Sequence, residues 1–263
     1  MQKTLLGKKA VITGSTTGIG MAVARALARE GCDVMLSGLG DMGKIEFFRA
    51  ALMAEFGIQA FYNEADLRHA KEASGIINDA QSRLGGIDIL VNNASLQQSV
   101  RLDELSLTQW QEILSVNAGA AFHTTRQSLP LMRKGGFGRI VNIASVHGMV
   151  GRPRQAALAA GNHALIGLTK VVALETAAEN ITCNVICPGF ANTDSDAREI
   201  SKHAERVGMG WDEAKDYLLG KRQPNKRLIE TEEVAELVIN LCAAKATGIT
   251  GAVIPVDGGW TAQ

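Results

Sequence analysis

The segment KKAVITGSTTGIGMAVARALAREG, residues 8–31, decides the fold. Its first part, KKAVIT (8–13), is a short apolar run of strand length. Its last part, GIGMAVARALAREG (18–31), carries apolar residues at helical spacing and stops at Gly31, a residue type that commonly closes helices. The turn between them, TGSTTGIG (13–20), holds Gly14, Gly18 and Gly20, with Thr16 and Ile19 interleaved. Glycines there permit a tight turn, close approach of a ligand to the backbone, and close packing of helix on strand. The helix start then offers free N–H groups and a partial positive charge, the chemistry that holds a pyrophosphate. A glycine triplet alone is weak evidence and fits a purely structural turn. Set between a strand and a helix, it points to a dinucleotide.

Outward from this unit the alternation continues. Strand-like runs occur at 32–37, 58–63, 87–92, 138–144, 181–188 and 252–256, and helical patterns at 43–56, 69–84, 106–134, 156–179 and 231–244. Strands separated by helices imply right-handed crossovers. Unbroken apolar runs imply strands buried on both faces. The expectation is an α/β, Rossmann-type, doubly wound parallel sheet of about seven strands, helices on both faces, in one domain spanning 1–263. Residues 189–226 break the rhythm; the segment is charged and carries Gly208, Gly210 and Gly220. Its place after the carboxyl end of a strand, where ligands bind in such sheets, suggests a helical lid, with an ordinary surface insertion as the alternative.

Composition narrows the function. Lys plus Arg and Asp plus Glu are balanced at 27 each, so the chain has no footprint for nucleic acid or an anionic membrane. The N-terminus shows no secretory signal, and no run is read as reaching the roughly 20 apolar residues of a membrane span. Cys32, Cys183, Cys187 and Cys242 form no metal-type spacing. No metal site is expected, and buried free thiols fit a reducing, cytoplasmic location.

The three-residue gap between Gly14 and Gly18 resembles the short-chain dehydrogenase/reductase family, and further landmarks across the chain agree. Asp66-Leu67 matches the pair that contacts adenine. Asn92-Asn93-Ala94 matches the family's NNA, although Ser95 stands where a glycine is usual. Asn117 matches the helix asparagine beside Val116, and Ser145 the substrate-oxygen serine. Pro188-Gly189 with Thr193 matches the segment around the nicotinamide. The resemblance implies a nicotinamide cofactor. Residues 15–17 (Ser-Thr-Thr) and 37–41 (Ser-Gly-Leu-Gly-Asp, with Leu39 at the ribose) bring no cation to the 2′ position. Asp41, if turned inward, would repel a phosphate. NAD is therefore expected over NADP, with Lys44 the nearest competing charge.

The family moves a hydride between nicotinamide and a carbonyl or alcohol carbon while a tyrosine moves the proton. A lysine four residues later lowers that tyrosine's pKa, which a phenol needs in order to act near neutrality. Counting about 13 residues from Ser145 gives Leu158, and four more gives Asn162. No slip rescues the motif, because NIASVHG before and GLTK after stay in register. Leu158 is inert to proton transfer, and Asn162 brings no charge. Of the two tyrosines, Tyr62 lies on the third strand, and Tyr217 lies in the lid, from which it could reach inward, with no lysine placed to tune it from the helix. Either hydride transfer is impaired, or another group substitutes, with His147 the best placed and Arg152 and Arg154 supplying charge.

Within the family, GLTKVVALETA (167–177), ITCNVICPGF (181–190) and VDGGWTAQ (256–263) resemble the bacterial D-3-hydroxybutyrate dehydrogenases. That likeness implies a small hydroxy or keto acid as ligand, held by Gln97, His147, Gln155, Phe190, Glu199 and Trp260. It also implies a homotetramer, or a hetero-oligomer with an active relative. Gln155 stands where the family has a carboxylate-binding lysine, Phe190 where it has tryptophan. Glu199 stands where it has glutamine, and is expected to repel an anion.

Overall fold

The computed structural model describes residues 3–262. Among them, seven strands form one parallel sheet: β1 (Lys9–Ile12), β2 (Asp33–Ser37), β3 (Ala60–Asn63), β4 (Ile89–Asn92), β5 (Gly138–Ile143), β6 (Ile181–Pro188) and β7 (Val253–Val256), in the order β3-β2-β1-β4-β5-β6-β7. The helices are α1 (Gly18–Arg29), α2 (Met42–Phe56), α3 (Ala70–Leu84), α4 (Leu107–Leu114), α5 (Ala120–Gly135), α6 (Ala156–Glu175), α7 (Asp194–Val207), α8 (Trp211–Gly220) and α9 (Thr231–Cys242). Ile12 of β1 is in register with Leu36 on one side and Val91 on the other. Strand order thus reverses at β1, and a crevice opens at the carboxyl ends of β1 and β4.

Side chains alternate across each strand. Ala10 and Ile12 therefore pack with Val23 and Leu27 of α1 and Val234 and Val238 of α9. Val11, between them, packs on the opposite face with Ile76 and Ile77 of α3 and Met132 of α5. Every residue of β4, β5 and β6 is buried, which accounts for their largely apolar composition.

The structure revises several expectations. The helical stretch at 106–134 is α4 and α5 joined by a π-helical turn, Ser115–Gly119. Such a turn widens the helix locally, and Asn117 lies in it. α6 stops at Glu175, where Thr176 leaves the helical conformation with φ −112° and ψ 6°; the Thr176 hydroxyl donates to the Val172 carbonyl at 2.9 Å. Residues 189–226 carry α7 and α8, whose Ile200, Ala204, Ala214 and Leu218 form a small apolar cluster with Phe190. α6, with 20 residues and a window of mean hydropathy 1.4, is the one helix among the described residues long and apolar enough to cross a membrane, although Asn162, His163 and Lys170 interrupt its apolar run. In this fold Leu165, Val172 and Ala173 of α6 are buried, and the helix packs on β6 and α4.

Candidate active site

The crevice is a cleft of roughly 670 Å³, within the range of small-molecule and cofactor sites. Gly14, Thr16, Gly18, Ile19, Leu39, Asp66, Leu67, Asn93, Ala94, Val116, Pro188, Gly189 and Thr193 all line it. Gly20 does not. A Cβ there would stand 2.1 Å from the Gly14 carbonyl oxygen and 2.4 Å from Asn93 Nδ2, so its role is to let α1 close onto the turn. Asn93 fixes that turn, its Nδ2 donating to the Thr13 and Gly14 carbonyls at 3.1 and 2.9 Å. The Gly14 φ of 62° is the left-handed conformation that favours glycine. The residues present fit a dinucleotide: a pinned glycine turn, a free helix start, and a cleft running past both.

At the ribose end, the Thr16 hydroxyl donates to the Leu39 carbonyl at 3.3 Å and the Tyr62 hydroxyl to the Gly38 carbonyl at 2.6 Å. Asp41 does not point inward. Its carboxylate caps α2, accepting from the Lys44 amide at 2.9 Å, and it does not line the cleft. Further along, Arg68 is paired with Asp66 at 2.5 Å and lies 3.6 Å from Glu112. The Arg68 guanidinium holds the Asp66 carboxyl down to about 2.

At the other end, Ser145 lines the cleft, its Oγ accepting from the His147 amide at 3.3 Å. Asn117 does not line it. Its Oδ1 accepts from the Leu96 amide at 2.7 Å and its Nδ2 donates to the Leu96 carbonyl at 2.9 Å. Each end of that amide makes one bond that braces the segment after β4, leaving a second lone pair and a second N–H. Leu158 and Asn162 are buried on α6, and Asn162 Nδ2 donates to the Leu158 carbonyl at 2.8 Å. The Asn162 amide therefore bonds its own helix.

Of the residues expected to hold substrate, Gln97 lines the cleft and its Nε2 donates to Ser195 Oγ of α7 at 2.6 Å. The other five do not line the cleft; among them His147, Phe190, Glu199 and Trp260 lie together, and Gln155 is buried. His147 meets Trp260 edge-on at 5.6 Å, and Phe190 stacks on Trp260 at 5.8 Å. Arg152 pairs with Glu199, so Glu199 is neutralised rather than a bare repelling charge. Gln155 Oε1 and His147 Nδ1 are buried without a hydrogen-bond partner, a pattern that suits a polar ligand or water. Burial first, then the nearby Arg152 charge, pushes the His147 imidazole down to about 4.

Sequence reasoning missed several groups. Arg222 lies 5.7 Å from the Trp260 ring and 5.9 Å from the Phe190 ring. Arg68, Glu112, Ser195 and Arg198 line the cleft. The expectation that no lysine tunes Tyr217 is also corrected, because Lys221 Nζ donates to its hydroxyl at 2.6 Å and draws its pKa down. The four-residue spacing on a helix was the available signal. That phenol stacks on His203 at 5.4 Å and is not among the residues lining the cleft.

Comparison with known proteins settles the family. A family model described as enoyl-(acyl carrier protein) reductase matches residues 14–261. D-beta-hydroxybutyrate dehydrogenase of Cupriavidus necator is 39% identical over 261 residues, covering 98% of this chain and 100% of the relative. The enzyme of the same name from Rhizobium meliloti is 40% identical over 256 residues, 97% of this chain and 99% of its own. The chain belongs to the short-chain dehydrogenase/reductase family. Among solved family members, L-sorbose reductase from Gluconobacter frateurii, complexed with NADPH and L-sorbose, superposes with a TM-score of 0.94 at 28% identity over 100% of both chains. In this short-chain dehydrogenase/reductase the glycine turn, Ser145 and the Pro188–Thr193 segment share one cleft, while the side chains at 158 and 162 are buried beside it.

Proposed function

We propose that this chain binds a nicotinamide dinucleotide and a small hydroxy or keto acid, with hydride transfer between them severely impaired. The reading rests on the register that puts Leu158 at the proton-donor position, and one observation supports it: Asn162, one helical turn on, donates to the Leu158 carbonyl. When bound, the nicotinamide supplies the hydride chemistry. The chain's own contributions are the grip of the glycine turn, the orienting hydroxyl of Ser145, and the polar and aromatic groups of Gln97, His147, Gln155, Phe190, Glu199 and Trp260. A positioned acid or base is worth about 10²–10⁴ in rate, and leucine supplies none of it.

NAD is favoured over NADP because neither Gly38 nor Leu39 brings a cation to the ribose rim. The L-sorbose reductase complex contains NADPH, so preference within the family turns on local charge. A working oxidoreductase using His147 as donor is the rival reading, supported by its unpartnered Nδ1. Against it, an imidazole with a pKa of about 4 is neutral near pH 7 and holds no proton to give as an imidazolium. A cytoplasmic homotetramer, or a mixed assembly with an active relative, completes the proposal. Exposed Phe122, Val171 and Leu174 on α5 and α6 support the assembly.

The test is a melting scan with NADH and NADPH, followed by absorbance assays over small hydroxy acids including D-3-hydroxybutyrate. A native-state ligand raises Tm by mass action. The expected outcome is a larger shift with NADH and no appreciable turnover. Turnover at roughly 1 s⁻¹ or faster, within the ordinary enzyme range, would sink the impaired reading. No shift with either nucleotide would sink the binding reading.

A further inference from the structure

The cleft is poorly charged for an anion. Asp66, Glu112, Asp194 and Asp196 line it, against Arg68 and Arg198 as the lining arginines. Arg68 is already engaged by Asp66 and Glu112. Arg198 is exposed, and among the described residues it makes no hydrogen bond or ion pair. It is thus the lining arginine whose charge is unspent. A helix start contributes only about half an elementary charge, while a pyrophosphate brings two negative charges into a cleft that already holds more carboxylates than guanidinium groups.

The position of Arg198 fits that need. α7 begins directly after Thr193, and a Cβ built on Gly18 would stand 3.3 Å from Thr193 Cγ2. The first turn of α7 therefore lies against the glycine turn that receives phosphate. Arg198 follows Asp194 by four residues, which places both on one helix face, and both line the cleft together with Ser195. The adenine end, marked by Leu39 and Asp66–Arg68, is lined by different segments. From this arrangement we infer that Arg198 is the cationic receptor for the cofactor's pyrophosphate, closing over it from α7 opposite the glycine turn. The inference rests on the dinucleotide reading above and adds a residue to it. A guanidinium fork suits phosphate oxygens, and its contact ties α7, and with it the substrate-side Glu199 one residue on, to the presence of the cofactor.

The experiment is calorimetric titration of wild type and Arg198→Gln with ADP-ribose and with adenosine. Loss of one charge-assisted contact is expected to raise the ADP-ribose Kd about ten-fold and to leave adenosine within about two-fold, since adenosine has no phosphate. Arg198→Lys should recover part of the loss, as a point charge without the fork. An unchanged ADP-ribose Kd in Arg198→Gln, with wild-type binding intact, overturns the assignment and leaves the dinucleotide reading standing. Equal weakening of adenosine also overturns it, since the residue would then be supporting the cleft's shape. Wild type that binds no ADP-ribose overturns both.

Discussion

A leucine side chain has no proton to move, so the simplest repair of this site is chemical. In Leu158→Tyr/Asn162→Lys, the lysine frees the Leu158-position carbonyl from its 2.8 Å bond to the amide and places a cation one helical turn from the phenol. With NAD and a panel of small hydroxy acids, the double variant is expected to oxidise its best substrate at least about 10² faster than wild type. The single Leu158→Tyr variant should gain less, because an untuned phenol stays near pKa 10. Equal rates for wild type and double variant would mean the defect lies elsewhere. The proposed substitution pair rests on the sequence, whose flanks NIASVHG and GLTK keep register on both sides. The direction of Asp41 was left open at the same scale, and its N-cap bond to the Lys44 amide decides it. Residue identity fixes chemistry, while direction comes from which local hydrogen bond competes for the side chain.

At the scale of elements, the short helical turn Val146–Gly148 and the lid helices meet at His147. The imidazole feels Arg152 and Arg222, which lower its pKa, and Glu199, which raises it, with burial the largest influence. Its folded value of about 4 lies below the ordinary 6.5. Stability from the neutral ring is therefore present above pH 6.5 and is lost as pH falls toward 4, because the unfolded chain takes up the proton first. The loss is at most about 3 kcal/mol by linkage. The drop in Tm between pH 7.5 and 4.5 should be smaller in His147→Gln than in wild type; an equal drop would refute the assignment. His147, Arg152 and Glu199 were each named from the sequence, but the pairing of Arg152 with Glu199 and the nearness of Arg222 were not. Arg152 and Glu199 are 47 residues apart, and only the packing of α7 onto the loop after β5 joins them. The strands and the glycine turn, by contrast, declare themselves through local periodicity, and the structure moved their ends only slightly. The π turn at Asn117 stayed hidden because it continues the helical pattern without a break in composition.

For the whole molecule, charge and burial point outward to association. Net charge is zero by count, so like-charge repulsion does little to keep copies apart. On the side of the sheet that carries α5 and α6, Phe122 is 45% exposed, Val171 52% and Leu174 78%. Val171 and Leu174 are three residues apart on α6 and share a face. That same helix is apolar enough to pass for a membrane span, although its other face is packed on β6 and α4. An apolar outer face on a helix already half-committed to a core is what a subunit interface requires, and covering it removes area from water at about 25 cal/mol per Å². If this face joins copies of the chain, Leu174→Asp should shift the species seen in sedimentation velocity toward the monomer. Its effect would be felt at each copy of a symmetric contact. Far-ultraviolet circular dichroism should stay unchanged, since the side chain projects from the fold. Wild type that sediments as a monomer, or a Leu174→Asp variant that keeps the wild-type assembly, would place the interface elsewhere and leave this apolar strip on α6 as ordinary surface.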